Sequence, residues 1–412
     1  MNKNDVQILR ELARRVYDIS QEPVMEERWR LWLKHDAFQG ERPMILAETG
    51  GVLDELIPVS MLRCTEDSAR WIERGLLNTI FVYEMVQDDT VVEPYIDCNW
   101  HISTGDYGVQ EITHRPDTGG TLGAIRWDPP LRNVREDLEK LRFRQFSVDR
   151  EATLRRKQQL EEIFDGILTV RIHGSFWWTM GLTIVAIRLI GLDNLMLYMY
   201  DDPEGMHKLM SFLRDDHLNM IQWCEREGLL SLNNRNDYIG SGSHGYTNAL
   251  PQADYREGGP VRLKDLWCLS ESQETVGVSP AMFAEFILPY QMPIIEKFGF
   301  CYYGCCEPIH TRWESIATIP NLRRLSISPW CDQKIMAEVC RDKYTFCRKP
   351  NPEQVSRPKF DEEAARADIR NTLDTARGCH VELVMKDVHT VSKDRERLGR
   401  WVAIAREEIA KG

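Results

Sequence analysis

Residues 279–306 read SPAMFAEFILPYQMPIIEKFGFCYYGCC. Ser279 suits a helix cap, and Pro280 suits a first helical turn, where its missing N–H costs nothing. Apolar side chains then recur as far as Phe298, Gly299 ends the run, and FCYYG follows as a short strand. A helix that feeds directly into a strand is one unit of an alternating α/β chain.

The same unit recurs on both sides. GILTVRIHG (166–174) is an apolar strand that ends at glycine. Residues 201–228 predict a helix with Asp202 as cap, Pro203 at its first position and Gly228 at its end. LLSLNNR, KDLWCLSES, RRLSISPW, KYTFCRKP and CHVELVMKDVHTV read as further strands. With YIDCNWHIS, strands are expected near 95, 167, 230, 266, 300, 325, 345 and 382. Eight such units predict a closed TIM (β/α)8 barrel over 91–412. Residues 1–90 are expected to form a helical extension packed on it. The strand-like, glycine-punctuated stretch 92–131 adds β-hairpin elements. An open doubly wound sheet is the alternative, but the chain has no G-x-G-x-x-G and no P-loop.

Composition narrows the function classes. The chain has 412 residues and a net charge of −12, which disfavours nucleic acid and anionic membranes as partners. Its N-terminus lacks the apolar core of a signal peptide. The run GLTIVAIRLIGL (181–192) is short of a membrane span and carries Arg188. A cytoplasmic location follows as the expectation, with the eleven cysteines mostly reduced. Cys64, Cys98, Cys224, Cys268, Cys331, Cys340, Cys347 and Cys379 read as small core hydrophobes.

A barrel works at the carboxyl ends of its strands. That places Cys305, Cys306, Glu307 and His310 at the working face, directly after GFCYYG. In the last strand, Val381, Leu383 and Met385 suit the helix side, while His380, Glu382 and Lys386 point inward. Asp387 and His389 follow at its end. Other strand ends supply His173 with Trp177 and Trp178, then Glu274, Trp330 and Lys349. Cys305, Cys306, Glu307, His310 and His389 are the donor types of a zinc site with one open position. Two other readings stay open: a redox pair, for which adjacent cysteines are unusual, and buried cysteines with Glu307 and His310 capping the next helix.

From about residue 165 onward the chain resembles the uroporphyrinogen decarboxylase superfamily. The segments that carry the likeness are IHGSFWWTM, YDDPEGMHKLMSFLRDDH, SPAMFAEFILPYQMPIIEKFG, FCYYGCCEP, LRRLSISPW and CHVELVMKDVHTV. The resemblance implies a TIM barrel. The arginine-rich R-Q-A-G-R-Y segment of the decarboxylases is missing; QGERPMILAE keeps one arginine and the proline. The corrinoid-dependent methyltransferase branch holds zinc through an H-x-C at this strand end and a later cysteine. Here Cys305 matches the cysteine of H-x-C, but Tyr303 stands in place of the histidine, and 387–389 holds no cysteine.

The departure points to members similar to O-demethylases of methoxylated aromatics. The resemblance thus implies methyl transfer from a small methylated substrate to a corrinoid protein, assisted by zinc. Glu382, Lys386 and Asp387 would be the catalytic groups, and His173, Trp177, Trp178, Glu274 and Trp330 the substrate contacts. Barrels often pair, so a homodimer is one assembly open to the chain; the sequence does not choose it. The rivals are a metal-free decarboxylating lyase and a non-catalytic binding barrel.

Overall fold

The structure, a computed structural model, describes residues 1–115, 125–174 and 176–411. It is a mixed α/β fold with a parallel sheet at its centre. Fourteen short strands occur among the described residues. They are β1 (Met44–Ala47), β2 (Tyr95–Cys98), β3 (His101–Thr104), β4 (Ile112–His114), β5 (Arg126–Asp128), β6 (Phe146–Asp149) and β7 (Thr169–Ile172). The rest are β8 (Tyr238–Gly240), β9 (Ser243–His244), β10 (Trp267–Ser270), β11 (Phe300–Tyr303), β12 (Leu322–Ile327), β13 (Thr345–Arg348) and β14 (Val381–Met385).

Six of them form one parallel sheet in the order β1-β14-β13-β12-β11-β10. β2 and β7 pair with each other, in parallel, apart from that sheet. The closed eight-stranded barrel expected from the sequence is therefore not seen among the described residues. Both edges show why. The N–H groups of Ile45 and Ala47 in β1 donate to the carboxylates of Asp89 and Asp88, at 2.8 and 3.0 Å. At the other edge, the Asn233 side chain both accepts from Trp267 N and donates to Trp267 O, at 2.9 and 3.0 Å. LLSLNNR, expected as a strand, is irregular. Side chains satisfy the ladder positions that neighbouring strands would otherwise fill.

Strand alternation follows the sequence reading. Val381, Leu383 and Met385 join the large helix-side core. Val384 packs with Met44, Leu46, Trp267, Leu269, Tyr302 and Cys347 on the other face. That face is concave. Tyr302 of β11 donates to the Cys347 sulfur of β13 at 3.2 Å, and Arg324 of β12 lies 3.2 Å from Glu382 of β14. The β8–β9 hairpin fills the hollow. Gly242, at φ +79, passes so close that an added Cβ would stand 2.6 Å from Val384.

Helix boundaries obey local chemistry. Asp202 accepts from Gly205 N ahead of the helix Pro203–Arg226. The helix expected over 279–299 is broken into Pro280–Phe286 and Leu288–Ile295. Pro289 and Pro293 remove amide donors there. Residues 1–90 form helices Lys3–Ser20, Pro23–Asp36 and Asp67–Phe81, and also contribute β1 to the sheet. The highly charged stretch 132–162 holds a short helix and β6 before the helix Arg150–Phe164 begins. Among the described residues no single helix is long and apolar enough to cross a membrane. One pair, Thr183–Ile190 and Leu192–Asp201, meets that test only jointly and is bent by 91°.

Candidate active site at the carboxyl edge of the sheet

All six strands of the sheet end at one edge, and two groups of polar side chains gather there. The first joins the ends of β11 and β14. Gly304, at φ +97, turns the chain so that Cys305 and Cys306 follow β11 immediately. Lys386 and Asp387 follow β14, with Asp387 itself at φ +56. Lys386 Nζ lies 3.3 Å from Cys305 Sγ and 3.0 Å from Asp387 Oδ2. Cys306 Sγ stands 3.7 Å from Cys305 Sγ and 3.6 Å from Asp387 Oδ2.

The electrostatics of this group are asymmetric. A hydrogen bond from Cys306, and then the Lys386 charge, bring the Cys305 thiol down to about 7 although burial opposes them. The same hydrogen bond, with burial, pushes Cys306 up. Burial alone would lower Lys386, but Cys305 and Asp387 outweigh it and keep the ammonium protonated. Cys305, beside the ammonium, is therefore the thiol of the pair that ionises more readily.

The second group faces a cavity of about 1430 Å³ between β1, the β2–β7 pair and the β8–β9 hairpin. Glu48, Trp71, Trp100, His173, Trp177 and Tyr238 are among its lining residues. His173 Nε2 and Asp237 Oδ1 are 2.5 Å apart. Glu48 directly follows β1. Burial raises its carboxyl pKa, and the charges of Lys386 and Lys349 only partly offset this. Tyr238 is pushed above its ordinary range by burial and then by Glu48. Glu48 and Tyr238 thus sit between the cavity and the sulfur–lysine group.

The expected site residues distribute unevenly. Cys305, Cys306, Lys386 and Asp387 come together, whereas Glu307 turns away from them. Its two oxygens accept from the N–H groups of Cys305 and Ser272, at 2.8 and 2.9 Å. Burial raises its pKa, and those two amides oppose the rise. His310 Nδ1 accepts from Asp332 N at 3.2 Å, just ahead of the helix Gln333–Cys340. His389 is exposed and lies beside Gly51. Among the described residues no three His, Cys, Asp or Glu side chains converge as a metal site requires. The five residues expected to hold zinc do not fit it in this arrangement, because three are engaged or placed elsewhere and an ammonium stands among the remaining donors.

Glu382, expected among the catalytic groups, is buried at the middle of the concave face. Ser243 Oγ donates to it at 2.6 Å, and Arg324 and His35 lie 3.2 and 3.5 Å away. Burial would raise its pKa, but Arg324, His35 and Ser243 together hold the carboxyl below its ordinary range. It ties the hairpin to the sheet. His173 and Trp177 line the cavity, and Trp177 also packs on Phe298. Trp178 is half-exposed beside Tyr238. Glu274 accepts from Thr183 Oγ1 at 2.7 Å and so anchors the helix Thr183–Ile190. Trp330 is 66% exposed and does not line the cavity.

The sequence reading missed Glu48, Asp237 and Tyr238. A polar residue ending the apolar run MILAE was the available signal for Glu48. Asp237 and Tyr238 stand at the start of the short, glycine-rich hairpin, where no periodicity marks a face.

No family model matches the chain, and no curated protein matches it in sequence. Among solved structures, a methyltransferase from Methanosarcina mazei is similar, with a TM-score of 0.43 and 12% identity. The alignment covers 73% of this chain and 76% of that one. At that distance the likeness bears on neither activity nor site residues.

Proposed function

We propose that the protein transfers a methyl group from a small methylated substrate to a corrinoid carried by a partner protein, and that a methoxylated aromatic is the donor class. One observation carries this reading: a large cavity walled by Trp71, Trp100 and Trp177 also presents Glu48 and the His173–Asp237 pair. Flat aromatic walls suit a flat ring. The resemblance of the segments quoted above supports the same chemistry.

In such a transfer the oxygen–methyl bond breaks, its electron pair stays on oxygen, and the methyl carbon bonds to the incoming nucleophile. The partner's corrinoid supplies that nucleophile. This chain's task is to hold the ring and to neutralise the oxygen that is left. Glu48, whose carboxyl pKa burial raises, faces the cavity and is the group assigned to give that oxygen its proton. Asp237 orients the His173 ring at the cavity wall.

A decarboxylase of polycarboxylates needs free positive charge in its pocket. Of the three cavity arginines, Arg74 and Arg171 are paired with Asp54 and Asp97, at 2.5 and 2.6 Å, which leaves Arg156 as the charge such a reading would rest on. Incubation with free Co(I) cobalamin and a panel of methoxylated aromatics tests the proposal. Loss of the Co(I) absorbance together with release of the matching phenol is the expected result. Failure of every methylated donor, with carbon dioxide released from a carboxylated one, would establish the lyase instead.

A further inference from the structure

The geometry assigns to the Lys386 ammonium the place that a zinc ion would take at this edge, so that the protein's own cation excludes a divalent metal. Four polar groups are linked here by contacts of 3.0 to 3.7 Å, the sulfurs of Cys305 and Cys306, the Asp387 carboxylate and Lys386 Nζ, and with the lysine among them the three donors are not arranged to hold a metal. The lysine touches two of the other three directly, at 3.3 Å to Cys305 and 3.0 Å to Asp387. Two sulfurs and a carboxylate are zinc donor types. Here Cys305 and Asp387 already share a buried counter-ion, since Lys386 is only 5% exposed and follows directly from β14.

The surroundings point the same way. Glu307, the nearest additional carboxylate in sequence, spends both oxygens on backbone amides. A divalent ion among Cys305, Cys306 and Asp387 would have to sit against the ammonium, like charge beside like charge. Lys386 also acts electrostatically on Glu48 and Tyr238 at the cavity. Under the methyl-transfer reading, on which this consequence rests, the departing oxygen meets the Glu48 carboxyl, on which the Lys386 charge acts from behind, and not a Lewis acid. The exclusion of metal stands on the geometry alone, whatever the substrate.

Metal analysis and cadmium titration test it without reference to activity. Protein purified from zinc-supplemented medium is expected to hold far less than one zinc per chain. Added cadmium is expected to give no thiolate-to-cadmium charge-transfer band at this site. Lys386→Ala, shown to be folded by circular dichroism, is expected to gain that band, and a further Cys305→Ser change to remove it. Lys386→Arg keeps the positive charge and is expected to stay without the band. Stoichiometric zinc in the unaltered protein, lost on Cys305→Ser, would overturn the assignment. So would a folded Lys386→Ala that still takes no cadmium, because the lysine would then not be what keeps metal out. The zinc measurement on the unaltered protein decides by itself if the alanine variant does not fold. None of these readings depends on methyl transfer, so they separate this assignment from the proposed function.

Discussion

Lys386 Nζ rests 3.3 Å from Cys305 Sγ and so joins the ends of β14 and β11, two strands with β13 and β12 between them. In a flat sheet such strands would lie roughly 14 Å apart. The contact exists because the sheet curls around the β8–β9 hairpin and because Gly304 turns the Cys305 loop inward. It gives the thiol a cation and the lysine a home.

The first consequence is a reactive thiolate. With its pKa brought down to about 7, Cys305 is half ionised near neutral pH. Its alkylation rate by iodoacetamide, read by peptide mass spectrometry, is expected to rise through about pH 7 and then level off. Cys306, pushed up by its hydrogen bond to Cys305, is expected to lag at neutral pH despite its greater exposure. Lys386→Met is expected to move the Cys305 profile toward the ordinary thiol range, because the positive charge that favours the thiolate is gone.

Glu48 ties activity to a cost in stability. A carboxyl whose folded pKa is raised adds stability below its unfolded value, and that contribution is lost as pH rises through the folded value. Glu48→Gln is therefore expected to raise the thermal midpoint at neutral pH. The same variant removes the proton donor, and methyl transfer is expected to fall by about 10²–10⁴-fold. Differential scanning fluorimetry beside the Co(I) assay checks both. A loss of stability together with unchanged transfer would remove Glu48 from its assigned role.

Arg324 and Glu382 are both fully buried and face each other at 3.2 Å. Arg324→Met leaves the Glu382 carboxylate without its main counter-charge. Urea unfolding is expected to show a loss of about 3–5 kcal/mol. The pH dependence has a definite sign. Glu382 is held below its ordinary range, so its contribution is present above the unfolded carboxylate value and is lost as pH falls toward the folded one. The unaltered protein should weaken in acid through that window, and Glu382→Gln should flatten this part of the curve.

Asn233 completes the edge of β10. Asn233→Ala leaves the N–H and C=O of Trp267 without partners, at an expected cost of about 1–3 kcal/mol. Hydrogen exchange at the Trp267 amide is expected to speed up by more than the change in global stability allows. Equal protection in both proteins would mean that the amide has found another acceptor.

The alternation of strand and helix from residue 264 onward, the caps at Asp202 and Ser279, and the inward and outward faces of β14 were legible in the chain, because each depends on neighbours a few residues away; the strand expected at LLSLNNR was not formed. So was the meeting of Cys305 and Cys306 with Asp387, since every parallel strand ends at the same edge. The sequence could not reveal that Asn233, Asp88 and Asp89 would satisfy the sheet's edges and leave it open. Whether an amide pairs with a strand or with a side chain depends on which arrives in space. Nor could it reveal that Glu307 would face backbone amides, or that Lys386 would come between the donors of a metal site. Zinc ligands and a lysine-bound thiolate use nearly the same residue types. Only the curl of the sheet, fixed by contacts between distant segments, chose between them.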